Sequence, residues 1–168
     1  MMLSLAAPNQ AMRYRDPACE ALLQQLGKGA RFTQPVLLSF TGQPRIVLAK
    51  AAREMAQRLG RPLLRADLGA STNPYIGETE KNLQILFNRA ESSGAVLLFD
   101  EADALFGKRT EVGSAHDRYA NQEISYLLTR LQHYCGVAIV LFDSADSAHE
   151  AQRRRGRLQP VLIRFPAA

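Results

Sequence analysis

Two cysteines and three histidines in 168 residues leave little material for disulfide or metal chemistry. Cys19 and Cys135 stand alone with no CxxC pair, so neither a disulfide framework nor a zinc site is expected, and both read as reduced, partly buried thiols. His116, His133 and His149 show no metal-ligand spacing. No stretch approaches the roughly 18 apolar residues of a membrane span. The opening Met1-Met2-Leu3-Ser4-Leu5-Ala6-Ala7-Pro8 lacks a basic start and a full apolar run, which argues against a secretory leader and for a cytoplasmic protein. Internal repeats and low-complexity segments are also absent.

What is present is an ordinary globular composition, 46% hydrophobic and 22% charged, in a chain long enough for one sizeable core and too short for two full domains. The net charge of +5 permits a polyanionic partner without requiring one. Arg153, Arg154, Arg155 and Arg157 concentrate that charge. A solvated basic face is one reading of the cluster. Nucleic-acid binding is a weaker one, because no aromatic stacking platform accompanies the arginines.

Local patterns divide the chain into alternating elements. Asp16-Pro17 ahead of Ala18 to Leu26 supplies an N-cap, a proline suited to the first helical position and Gly27 as a stop, which predicts a short helix. Residues 1 to about 15 are expected to be loosely ordered, and 1–35 form an N-terminal extension to a core spanning 36–168. Leu48, Ala51, Ala52, Met55 and Leu59 fall on one helical face closed by Gly60, ahead of a strand at Leu63-Leu64-Arg65-Ala66. Leu83, Leu86, Phe87 and Ala90 repeat that face until Ser92-Ser93-Gly94. Ile124, Leu127, Leu128 and Leu131 mark another helix. The apolar runs 36–40, 96–99, 137–142 and 161–165 read as strands buried on both sides. Strands alternating with helices imply parallel pairing, and hence an α/β three-layer αβα sandwich.

The run Val96-Leu97-Leu98-Phe99 ends in Asp100-Glu101 and continues Ala102-Asp103-Ala104-Leu105-Phe106-Gly107. A strand delivering two acids in this way is how P-loop NTPases hold magnesium and water. Their upstream partner, GxxxxGK[ST], uses backbone N–H groups and a lysine to cradle phosphates. After Val36-Leu37-Leu38-Ser39-Phe40 stands Gly42-Gln43-Pro44-Arg45-Ile46-Val47-Leu48-Ala49, of the right length but keeping only the first glycine. Leu48 occupies the lysine position and Ala49 the hydroxyl position, while Arg45 and Val47 are not glycines.

With Tyr75-Ile76-Gly77-Glu78-Thr79-Glu80-Lys81-Asn82-Leu83, and Leu105-Phe106-Gly107-Lys108-Arg109 followed by Asp117-Arg118-Tyr119-Ala120-Asn121, the chain from about Val36 to Pro166 resembles the AAA+ ATPase family, bacterial type. The resemblance implies a P-loop NTPase fold, ATP and magnesium as cofactors, and AAA+ subunits as partners, with a protein substrate also implied. It assigns Asp100 to magnesium through water and Glu101 to polarising the attacking water. Asp143 would take the place of the polar γ-phosphate sensor, where a carboxylate repels phosphate. Tyr75 resembles the pore-loop aromatic that grips a threaded polypeptide, although an exposed or partly packed loop tyrosine fits nearly as well. Arg154 and Arg157 resemble arginine fingers that reach into a neighbour's site. The helical lid that follows the core in this family is expected to be absent.

The altered loop implies a degenerate Walker A segment whose own ATP binding and hydrolysis are weak or lost, in a chain that acts within an AAA+ assembly. Rivals are a working protein-remodelling ATPase with an atypical loop, a basic nucleic-acid-binding module, and a truncated remnant with no selected activity. For the first of these, Arg45 is the candidate replacement for the lysine. Lys50 points elsewhere on its helix. The alternative for Arg45 is a surface charge, and for Leu48 an extension of the apolar face.

Overall fold

Buried apolar runs at regular spacing produce a six-stranded sheet in the computed structural model, which describes residues 11–27, 30–66, 78–100, 126–142, 144, 148 and 161–166. The elements are β1 (Ala11–Arg13), α1 (Pro17–Leu26), β2 (Val36–Thr41), α2 (Arg45–Arg58), β3 (Leu63–Ala66), α3 (Glu78–Ser93), β4 (Val96–Phe99), β5 (Val137–Leu141) and β6 (Val161–Arg164). Residues 126–133 are also helical. Strand order is β1-β6-β2-β5-β4-β3, and every pairing among the described residues is parallel. Because parallel neighbours need a crossover, the connecting helices are forced onto the two faces.

Side-chain alternation then splits the core in two. Leu38 and Phe40 of β2, Ile139 of β5 and Leu98 of β4 pack with Leu22 and Leu26 of α1 and with Leu48, Ala52 and Met55 of α2. Leu37, Leu97 and Val140 face the other way, against Leu83, Phe87 and Ala90 of α3 and Leu127 and Leu131 of the 126–133 helix. This is the three-layer αβα sandwich expected. No helix among the described residues is long and apolar enough to cross a membrane.

One expectation is overturned in part at the N-terminal side. Residues 1 to about 15 were expected to be loosely ordered; 1–10 lie outside the described residues, but Ala11–Arg13 form β1, in register with Leu162–Arg164, and Tyr14 N–H donates to the Arg164 carbonyl at 2.8 Å. The gain comes from packing: Met12 is buried and the Tyr14 ring stacks on Phe165 at 4.2 Å between centroids.

Arg61 fastens two helix ends. Its guanidinium donates to the carbonyls of Leu26 and Gly27 at the end of α1, to Ala30, and to Gly94 just after α3, and it lies 5.0 Å from the Phe32 ring centroid. C-terminal carbonyls that a helix leaves unpaired thus find a cation.

Tyr134 plays a comparable part on the opposite face. Only 1% of it is exposed, its hydroxyl donates to the Ala95 carbonyl at 2.7 Å, and its ring meets Phe87 edge-on. Gly136 is required beneath it, since a Cβ there would lie 2.7 Å from the ring. Burial pushes the phenol pKa up to about 12. Tyr134→Phe strands the Ala95 carbonyl and is expected to cost about 1–2 kcal/mol in urea unfolding. The unfolded phenol ionises near pH 10 while the folded one holds its proton, so wild-type stability should fall between about pH 10 and 12. Tyr134→Phe should lack that part of the fall; an identical alkaline profile for both proteins contradicts the assignment.

Candidate functional site

In a parallel sheet, ligand sites gather beyond the carboxyl ends of the strands. Here those ends deliver Thr41-Gly42 from β2 and Asp100 from β4. Gly42 has φ +105°, and a Cβ on it would come 2.4 Å from the Phe165 carbonyl oxygen. That contact is close because the Phe165 N–H donates to the Thr41 carbonyl at 2.8 Å, drawing the end of β6 over the loop. The retained glycine therefore has a packing reason of its own. Gln43 adds to the closure, its side-chain amide donating to the Pro166 carbonyl.

α2 starts at Arg45, so residues 42–44 are the whole loop, and the rest of the eight-residue span is helix. Pro44 has no N–H, and its carbonyl accepts from Val47 N–H at 2.9 Å and Leu48 N–H at 3.1 Å. Amides that would face a phosphate in an open loop are spent on the helix's first turn. Leu48 is 0% exposed and sits in the core, so it offers no surface to a ligand. Ala49 is half-buried, packed against the same core. Lys50 is exposed.

Asp100 is buried at the end of β4 and is held from two sides. Arg45 Nε–H donates to its Oδ1 at 3.2 Å, and an Arg65 Nη2–H donates to its Oδ2. Register explains the second contact. Arg65 of β3 pairs with Leu98 of β4, and Asp100, two residues further, lies on the same face of the sheet. Both arginines keep solvent access, at 44% and 60% side-chain exposure, while the carboxylate between them does not. The acid at the strand end is thus neutralised by two cations of its own chain.

The same residues border a cleft of about 480 Å³ between α2 and β3. Arg45, Arg53 and Arg65 bring three guanidiniums to it, and Leu63, Leu98 and Ala49 supply apolar surface. Ile46, on the first turn of α2, is 78% exposed beside it. Arg65 and Arg53 carried no functional reading in the sequence. The available signal was Arg65 itself, a charge in an otherwise apolar strand, which marks the residue but names no partner.

Tyr75, Glu101, Asp143, Arg154 and Arg157 lie outside the described residues. Of the residues singled out from sequence, the structure brings together Asp100 and Arg45. No cluster of three or more histidine, cysteine or acidic side chains suited to a metal occurs among the described residues.

A parallel sheet in this order, with a loop and helix after β2 and an acid at the end of β4, defines the P-loop class of nucleotide-binding α/β folds. Within that class the chain belongs to the AAA family: the model of the ATPase family associated with various cellular activities (AAA) matches residues 38–165. It is 28% identical over 139 residues to the probable 26S proteasome regulatory subunit 10B of Caenorhabditis elegans, covering 80% of this chain and 34% of that protein. It is 34% identical over 128 residues to the ATPase family gene 2 protein of Schizosaccharomyces pombe, covering 73% and 15%. The ATP-dependent zinc metalloprotease FtsH of Lachnoclostridium phytofermentans is 29% identical over 134 residues, covering 77% and 23%. The chain thus spans about a third or less of the length of these relatives.

Proposed function

We propose that this chain is an AAA-family core with a degenerate Walker A segment, whose own ATP binding and hydrolysis are weak or lost, and that it works as a subunit or partner in an AAA assembly. The observation that carries the reading is the Arg45–Asp100–Arg65 bridge. In the family, the carboxylate at this place serves magnesium. Here both of its oxygens are engaged by guanidiniums, and a divalent cation would enter beside two positive charges.

The remaining residues do not fit a magnesium–triphosphate either. Leu48 supplies no cation, Ala49 no hydroxyl, and the backbone of residues 45–48 is already helical. Each lost charge-assisted contact costs roughly 1.5–3 kcal/mol, so two remove about two to four decades of affinity. A calorimetric titration with magnesium-ATP is expected to give a Kd no better than about high-micromolar to millimolar. A low-micromolar Kd overturns the proposal. It would favour the rival, a protein-remodelling ATPase in which Arg45 leaves Asp100 for a phosphate.

An assembly role is supported by the relatives, several of which are named as 26S proteasome regulatory subunits and one as a proteasome-associated ATPase. Arg154 and Arg157 suit it because a finger acts on a neighbour's nucleotide and needs no intact loop in its own chain. A nucleic-acid role has less support, since no aromatic residue among those described lines the basic cleft.

A further inference from the structure

Among the described residues, the cleft between α2 and β3 brings three guanidiniums, from Arg45, Arg53 and Arg65, together with one carboxylate, Asp100, and with apolar side chains. Arg53 makes no ion pair among the described residues and is exposed on the third turn of α2. Arg65 gives one N–H to Asp100 and keeps the larger part of its side chain in solvent. Leu63 and Leu98 line the same cleft, as does Ile46, which is 78% exposed.

We propose that this cleft receives a protein segment in which an acidic side chain stands next to an aliphatic one. The inference rests on the reading that the chain acts as a partner to other proteins. Guanidinium forks match a carboxylate in two parallel hydrogen bonds, so Arg53 with Arg65 fixes the acid. An aliphatic neighbour accounts for Ile46, because covering so exposed a residue removes apolar area from water, whereas a bare phosphate covers none of it. The volume of about 480 Å³ lies within the range of roughly 300–1,000 Å³ that binding clefts occupy. Nucleic acid fits less well, because the described lining offers no ring on which a base can stack.

The test uses the whole chain and a fluorescein-labelled decapeptide of alternating glutamate and leucine, read by anisotropy beside the same peptide with glutamine for glutamate. The acidic peptide is expected to bind at least about tenfold more tightly, and to weaken about tenfold between roughly 50 and 500 mM salt. Arg53→Ala should weaken it about fivefold to tenfold and Ile46→Ala about threefold, at unchanged Tm, because both side chains are exposed. Equal binding of the two peptides, or no response to either substitution, overturns the proposal. So does a single-stranded oligonucleotide that binds more tightly than the peptide and loses that binding with Arg53→Ala. Magnesium-ATP, titrated alone, reads the assembly-subunit proposal separately: low-micromolar nucleotide binding alongside selective capture of the acidic peptide overturns that reading and supports this one.

Discussion

Leu48→Lys combined with Ala49→Thr, which rewrites the loop towards GxxxxGK[ST], is expected to unfold the domain without reviving it. Leu48 is 0% exposed among the residues that join α2 to the sheet. Replacing it removes a buried leucine and asks an ammonium to sit in the core, together costing about 4–6 kcal/mol. Against a typical total of about 5–15 kcal/mol, that lowers Tm by roughly 10–20 °C or abolishes folding. Leu48→Met keeps the volume and is the control, expected to cost under about 1.5 kcal/mol. Thermal melts followed by circular dichroism separate the two. Steady ATP turnover should not return in the double variant, because α2 still begins at Arg45 and Arg45 still holds Asp100. The opposite result is specific: a double variant that melts with the wild type and hydrolyses ATP, with hydrolysis abolished by Glu101→Gln, shows that the loop can reopen.

That expectation depends on where α2 begins, which the sequence indicated only in part. Leu48, Ala51, Ala52, Met55 and Leu59 announced the buried face, and all five are buried. The preceding turn, Arg45-Ile46-Val47, is exposed and contributes no periodic apolar signal, so the helix's early start was hidden. The strands were easier. Runs such as Val36 to Phe40, broken only by Ser39, and Val137 to Leu141 are near-continuously apolar because both faces of a parallel sheet are covered. β1 escaped notice for the converse reason: only Met12 of its three residues is buried, and its stability comes from β6 and the Tyr14–Phe165 stack, both distant in sequence.

The same distinction applies at the site. Asp100 was legible because a buried strand ending in acids is a local pattern, and the loop's missing lysine could be read position by position. Arg65 was not legible as its partner. The contact spans 35 residues and exists only because β3 pairs with β4 in the register that sets Arg65 beside Leu98. A salt bridge between neighbouring strands is a property of strand register, and register is a long-range outcome.

The second large effect concerns a neighbour's chemistry. If Arg154 and Arg157 act in trans, they stabilise the negative charge that develops on the γ-phosphate of an adjoining active subunit, and such a finger is worth about a thousandfold or more in rate. The effect must then appear only with a partner present. Adding this protein to a cognate AAA ATPase should raise or redistribute that partner's turnover in a steady-state phosphate-release assay. Arg154→Ala or Arg157→Ala should remove the change while leaving the complex intact by mass measurement. Scaffolding without arginine chemistry makes a different forecast, namely equal turnover with wild type and both variants. That outcome would return the cluster to a solvated basic face. A graded result is also informative, because a finger contacts the transferring phosphoryl group and should lower the partner's kcat, whereas a residue that only supports association should raise the concentration of this chain needed for half-maximal effect. Loss of turnover confined to kcat, at unchanged association, is therefore the signature expected of Arg154 and Arg157.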